Sequence, residues 1–346
     1  MPVAELLFGH GAVHGLDGAA HQDRKRLFLD LLGEDRIAGL ADEVGRALRV
    51  RAEAWRGRDV VVFRELTEVY AAGVLAWAGI DCSPEQARRI GHRMAAIVDG
   101  FGLTPGAYPR AWTERLRGNA WARRLIRRAA VGSSTAATER PPVPALAGRL
   151  DVRTAAVELI NIVRPTVAVA WPGTFAALAL AEHPRWRPLL REEGDDPVAG
   201  VDRSARCRVA FGHEVRRHYP FVPALAGRAR RSVEIGGVVV RRGDRLVLDV
   251  VGTDHDPKLW AEPDEFRPER FLDGTDLEPD PFDFVPQGGG DPSSGHRCPG
   301  EPLTVRLLAA TVEVLAEVDY EVVSPASYDR RRIPTLPAGG LIVRVR

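Results

Sequence analysis

Apolar residues recur at helical spacing through the first half of the chain. Leu27, Leu29, Leu31 and Leu32, followed by Leu40, Val44 and Leu48, predict helix across residues 19–56. The same pattern predicts helices over 64–78, 84–99, 111–130 and 152–182, whereas "SSTAATERPPVPALAGRL" (133–150) is rich in turn residues and reads as a loop. From Val233 the period shortens. In "SVEIGGVVVRRGDRLVLDVVG", β-branched residues surround Gly236-Gly237 and Gly243, a pattern of short strands joined by tight turns. A Pro-rich aromatic stretch, a Gly-rich loop with Cys298 and a last helix from about Pro302 to Val318 follow. The fold class is mainly α with small β-sheets (α+β), and residues 1–346 read as one domain.

Composition narrows the function. Apolar residues make up 45% and charged residues 27% of the 346, and a net charge of +1 leaves no electrostatic footprint for nucleic acid. Three dispersed cysteines, Cys82, Cys207 and Cys298, suit a reduced cytoplasm better than a disulfide framework. The start "MPVAELLFGHGAVHG" lacks the basic and apolar regions of a signal peptide. The most apolar stretch, 154–182, carries Glu158, Arg164, Pro165 and Pro172, so it reads as a buried helix and no membrane span is expected. A soluble, cytoplasmic protein follows.

The chemistry clusters near Cys298. In "FVPQGGGDPSSGHRCPGE" (284–301) three glycines allow close approach of a planar ligand, and the cysteine sits just ahead of a helix start. Helix N–H groups there lower a thiol pKa, and a thiolate is a strong donor to a haem iron. A lone cysteine is otherwise a small buried hydrophobe. Upstream, Glu214 and Arg217 in "HEVRRHYP" are spaced i, i+3 on one helix face, and "FRPERF" (266–271) brings Arg270.

Together these segments resemble cytochrome P450. The resemblance implies haem b with Cys298 as axial ligand to the iron, and a structural network of Glu214, Arg217 and Arg270 holding the loop beneath it. It also implies that His21, Lys25, His296 and Arg297 meet the haem propionates, with Gln287 and Gly300 as further haem contacts. The alternative for each charged residue is an ordinary surface position.

"NIVRPTVAVA", "HEVRRHYPFVP", "GTDHDPKLW" and "PQGGG…GHRCPGE" are similar to the fatty-acid peroxygenase branch of that family. The acid and alcohol of oxygen-activating members are replaced by Arg164 and Pro165, and the proline predicts a kink in the central helix. A guanidinium cannot shed its charge when buried, so it needs an anion. That anion is either Glu158 or, as the branch implies, the substrate carboxylate. In the branch the carboxylate then does acid/base work on hydrogen peroxide, and hydrogen is abstracted near C2 or C3. Phe8 and Phe101 are implied as substrate-pocket residues. His14 stands where alkene-forming members carry histidine and hydroxylating members often carry glutamine; a hydrogen-bonded core histidine is the alternative. Hydroxylation comes first, with oxidative decarboxylation to a terminal alkene close behind.

The branch also implies a further N-terminal helix and strands ahead of "LFGHGAVHG", so an open sheet edge is expected. Three functions compete: a fatty-acid peroxygenase driven by hydrogen peroxide, a reductase-dependent monooxygenase, and a silent haem-binding fragment. Arg164-Pro165 favours the first, in which no redox partner is required.

Overall fold

A computed structural model describes residues 3–102, 106–131, 141–191, 203–272 and 279–346. A short helix α1 (Val3–Leu7) leads through a 3-10 turn (Val13–Gly15) into α2 (Gly18–Leu31) and α3 (Glu34–Glu53). The expected 19–56 helix is therefore two helices, parted at Leu32 and Gly33. Strand β1 (Asp59–Val61) precedes α4 (Val62–Trp77), α5 (Pro84–Asp99) and α6 (Ala107–Val131). In α5, Ser83 and Gln86 cap each other and Pro84 takes the first turn, where no N–H is needed, which fixes the start; both bounds match the expected 84–99.

The expected loop over 133–150 is corrected in its second half: Pro142–Arg149 forms α7. Its two prolines occupy the first turn, and Val143, Ala145 and Leu146 are buried. Residues 133–140 lie outside the described residues.

The central helix runs as α8 (Val152–Ala168) and α9 (Ala170–Glu182). Asp151 caps α8 by accepting from the N–H groups of Arg153 and Thr154. The interruption is at Val169 rather than at Pro165, which α8 carries inside it. Pro172 explains the shift: its ring would collide with the carbonyl of Ala168, so the chain breaks at Val169 and Pro172 falls in the first turn of α9. The Val152–Glu182 stretch is long and apolar enough to cross a membrane, but 89% of its most apolar window is buried inside the protein. It packs against α4, α5, α6 and α7 as a core element.

Helices α10 (Trp186–Arg191) and α11 (Arg203–His218) follow, then β2 (Ala224–Arg228), β3 (Val233–Ile235), β4 (Val238–Val240), β5 (Arg245–Asp249), α12 (Val250–Asp254), α13 (Glu301–Glu317), β6 (Tyr320–Val322) and β7 (Ile342–Val345). Strands β3 and β4 pair across Gly236-Gly237, both at positive φ, as a two-residue hairpin requires. β2 pairs with β5, and nearly every side chain of these four strands is exposed, including Ile235, Val238, Val239 and Val247. β7 lies between β1 and β6 in an antiparallel sheet whose strands come from opposite ends of the chain. Helix α13 packs on α3 and α11, which fixes the Cys298 loop against the helical body.

Candidate functional site

Cys298 lies two residues ahead of the N-cap of α13 and is half-buried. Its sulfur takes hydrogen bonds from the Gly300 N–H and the Gln287 side chain, and its own N–H donates to the Gln287 carbonyl at 3.0 Å. Gln287 also donates to Thr304 Oγ1 at 3.2 Å. The helix terminus alone predicts a lowered thiol pKa. The structure reverses that: burial pushes the Cys298 thiol up, Glu301 adds to the rise, and Gly300, Gln287 and Lys25 only partly offset it. A bound cation would release the proton, because a coordinating thiol is deprotonated.

The loop is held from behind by a charge network. Glu214 and Arg217, both fully buried, form a two-pronged ion pair with contacts of 2.8 Å. Arg270 approaches Glu214 at 3.2 Å, and the Arg267 N–H donates to Glu214 at 2.7 Å. Arg217 then donates to the carbonyls of Asp254, Pro263 and Glu265. The Asp254 carboxylate accepts from the Val285 N–H at 2.9 Å, at the start of the Cys298 loop. Burial raises the Asp254 carboxyl to about 7. Sequence reasoning missed a second tie: Arg216 on α11 and Arg297 both donate to Glu301, and Arg297 also reaches the Gly290 carbonyl. Those bonds turn the Arg297 guanidinium toward Glu301. The spacing of Arg297 and Glu301, i and i+4, was the available signal.

On α2, Lys25 is 2% exposed and donates to the carbonyls of Gly295 and Arg297 at 3.1 and 2.5 Å, with no carboxylate paired to it among the described residues. His21, one turn earlier, packs against the ring of His296 at 4.1 Å between centroids. Burial lowers Lys25, and burial with the neighbouring cation lowers His296. His296 also lies 3.7 Å from Asp17.

Arg164, on α8, is 6% exposed and has no carboxylate partner among the described residues. Glu158 does not pair with it. That carboxylate is taken by Arg24 at 2.7 Å, by the Val13 N–H at 2.9 Å and by Asn161 at 2.9 Å. Arg164 keeps one long hydrogen bond to Asn161 Oδ1 at 3.4 Å, and its Nε is buried without an acceptor. Burial, with Arg115 nearby, lowers Arg164 to about 9, while Cys298 pulls the other way. A guanidinium stays charged there; the shift measures how much an anion would relieve it.

Phe8 and His14 complete this side. Their rings stack at 3.9 Å, and the Arg164 guanidinium lies 5.6 Å from the Phe8 ring. His14 is open on one side, yet burial and the charges of Arg164 and Lys25 lower it to about 3. Arg115, unsignalled in the sequence, is buried and donates to the Leu7 and Phe8 carbonyls at 3.2 Å each. Gly9, at positive φ, leaves the room: a Cβ there would collide with that guanidinium. Phe101 sits half-buried in a 3-10 turn (Gly100–Gly102).

Thus Cys298, Lys25, His14 and Arg164, from four separate segments, lie within electrostatic reach of one another. Haem fits this set. Gly288 is at positive φ, and a Cβ on it would lie 3.3 Å from the Arg297 Cα, so the loop's close fold depends on it. The sulfur is presented by N–H donors, and the buried Lys25 and Arg164 await negative charge. A separate cleft of about 470 Å³, lined by Cys82, Arg93, Trp121 and Arg128 among others, shares none of these residues.

Comparison with known proteins completes the picture. Residues 170–320 match the family profile described as cytochrome P450. Among curated proteins, cytochrome P450 76M5 of Oryza sativa subsp. japonica is 33% identical over 153 residues, 41% of this chain and 29% of that protein. Carnosic acid synthase of Rosmarinus officinalis is 34% identical over 113 residues, 32% and 21% respectively. The matched region thus spans less than a third of either relative. Among solved structures, cytochrome P450SP alpha in complex with (R)-ibuprophen superposes with a TM-score of 0.88 at 35% identity, covering 100% of this chain and 84% of that one. A variant of cytochrome P450 OleT in complex with arachidonic acid gives 0.89 at 32% identity, covering 99% and 82%.

Proposed function

Because the chain belongs to the cytochrome P450 family, we propose that it is a haem-thiolate peroxygenase using hydrogen peroxide to hydroxylate fatty acids at the α or β carbon. The observation that carries this reading is Arg164, a buried cation with no carboxylate partner among the described residues, Glu158 on the same helix being committed to Arg24. A fatty-acid carboxylate would pair with the free edge of the guanidinium and relieve its desolvation, a charge-assisted interaction worth about 1.5–3 kcal/mol.

Cys298 would hold haem b through its sulfur, with Gly300 and Gln287 steadying it, and His21, Lys25 and His296 would meet its carboxylates; Arg297, which the sequence also assigns there, is held instead by Glu301 and the Gly290 carbonyl. When bound, haem supplies the redox centre at which peroxide is split. Arg164 anchors the substrate head, so that C2 and C3, the first carbons beyond it, are the ones presented for oxidation. Among the described residues, Pro165 and the apolar surface of α8 bring no protein acid beside Arg164. The bound carboxylate therefore takes and returns the peroxide proton. Phe8 and Phe101 would line the start of the acyl chain. A redox partner has no step to perform in this scheme.

His14 supports a second outcome at the same site, decarboxylation to a terminal alkene. Its ring is neutral at physiological pH, stacked on Phe8 and within reach of Arg164. Partition between the two products then depends on how that stack holds the substrate head.

The test is haem-reconstituted protein given myristate and hydrogen peroxide without a reductase, with products read by mass spectrometry. A 2- or 3-hydroxy acid, or an alkene one carbon shorter, that vanishes in Arg164→Ala is the expected result. A carbon monoxide spectrum of thiolate type with no product unless a reductase is added would favour the monooxygenase reading, and no haem uptake would leave a silent fragment.

A further inference from the structure

We propose that Asn161 is a positioning residue for Arg164, insulating its charge from Glu158 and tying its aim to the Phe8–His14 segment; this rests on the carboxylate-binding reading above. Glu158, Asn161 and Arg164 follow one another at i, i+3 and i+6 along one face of α8. The amide of Asn161 has one workable orientation. Its Nδ2 donates to Glu158 Oε2 at 2.9 Å and to the Phe8 carbonyl at 3.0 Å, and its Oδ1 accepts from Arg164. A flipped amide would set a carbonyl against two acceptors and an NH₂ against a cation.

Two consequences follow from those bonds. First, a neutral group stands between the buried acid and the buried base, so Glu158 satisfies Arg24 and Arg164 remains uncompensated. A carboxylate at position 161 would instead neutralise Arg164 and compete with the substrate. Second, the Phe8 carbonyl takes donors from both Asn161 and Arg115, while Glu158 also takes the Val13 N–H beside His14. The side chain that meets the substrate head is thereby coupled to the backbone at both ends of the Phe8–His14 segment. No atom of Asn161 needs to touch the reacting carbons; it acts through Arg164.

The two consequences call for two variants of the full chain, both loaded with haem. Optical titrations would compare myristate with myristyl alcohol, a ligand of equal length without the charge. Asn161→Asp is expected to weaken myristate at least tenfold while leaving the alcohol within about threefold, equivalent to a selective loss of at least about 1.4 kcal/mol. Asn161→Ala, which adds no charge, is expected to keep the preference for myristate but scatter oxidation beyond C2 and C3, lowering kcat more than it raises KM. Unchanged myristate affinity in Asn161→Asp, or equal weakening of both ligands, would overturn the insulating role. Loss of turnover in Asn161→Ala with an unaltered product pattern would reduce the residue to a packing element. Should Asn161→Asp fail to load haem, the Asn161→Ala product pattern alone decides the aiming role. A wild-type protein that does not distinguish acid from alcohol would sink the carboxylate reading itself, and this proposal with it.

Discussion

Behind Cys298, Glu214 lies against Arg217 and Arg270, and Glu301 lies between Arg216 and Arg297, so buried charges of one sign meet charges of the other. Around Arg164 lie two further guanidiniums: Arg24 takes the Glu158 carboxylate, Arg115 feels its charge, and Arg164 has no carboxylate partner among the described residues. In the first cluster every guanidinium has a carboxylate at ion-pair distance; in the second, Arg164 has none among the described residues. Buried charges that pair internally hold a loop in place, whereas a buried cation left over makes a site for something that comes from outside.

Breaking the closed cluster should have the largest effect. Glu214→Ala strands two guanidiniums and is expected to cost about 3–5 kcal/mol of stability, seen as a lower denaturation midpoint and loss of haem uptake. Arg164→Leu sharpens the contrast: myristate affinity should fall about 10- to 100-fold, by the roughly 1.5–3 kcal/mol of a charged hydrogen bond, yet thermal stability without ligand should hold or rise. An unfolding temperature that falls as far as in Glu214→Ala would erase the distinction between the two clusters.

Asp254 tests the closed side through pH. Its folded carboxyl is raised to about 7, so the folded protein holds a proton that the unfolded chain releases near pH 4. That contribution is complete below about pH 4 and is lost as pH rises to about 7, with a slope of at most about 1.4 kcal/mol per pH unit. Denaturation at stepped pH should show the slope in the wild type and not in Asp254→Asn. The smallest effect belongs to His14. Lowered to about 3, it stays neutral across the ordinary histidine range, so the ratio of hydroxy acid to alkene should stay flat from pH 8 to 5. His14→Gln should shift that ratio a few-fold toward the hydroxy acid without changing haem uptake.

Local signals in the sequence carried far. Apolar spacing bounded α5 at 84–99, and the i, i+3 spacing of Glu214 and Arg217 announced an ion pair that the fold buries. Failures came where a local rule met a distant partner. The prolines at 142 and 144 read as loop until one sees that they start α7, and Pro165 drew attention from Pro172, which sets the break at Val169. Arg24 and Arg115 are separated from Glu158 and Phe8 by more than a hundred residues, so no spacing rule could pair them. Strand β7 joins β1 and β6 only because the chain ends are brought together by the helices between them.

The uncompensated guanidinium on α8 would also confer a sense of direction on the proposed substrate. An amphiphile has two ends, and only one of them would cancel the charge of Arg164, so under the proposed function the protein would distinguish head from tail before any bond is made or broken. An α,ω-dicarboxylic acid of matching length carries the same handle twice and would dock equally well either way round, with both termini of one molecule open to oxidation in successive visits.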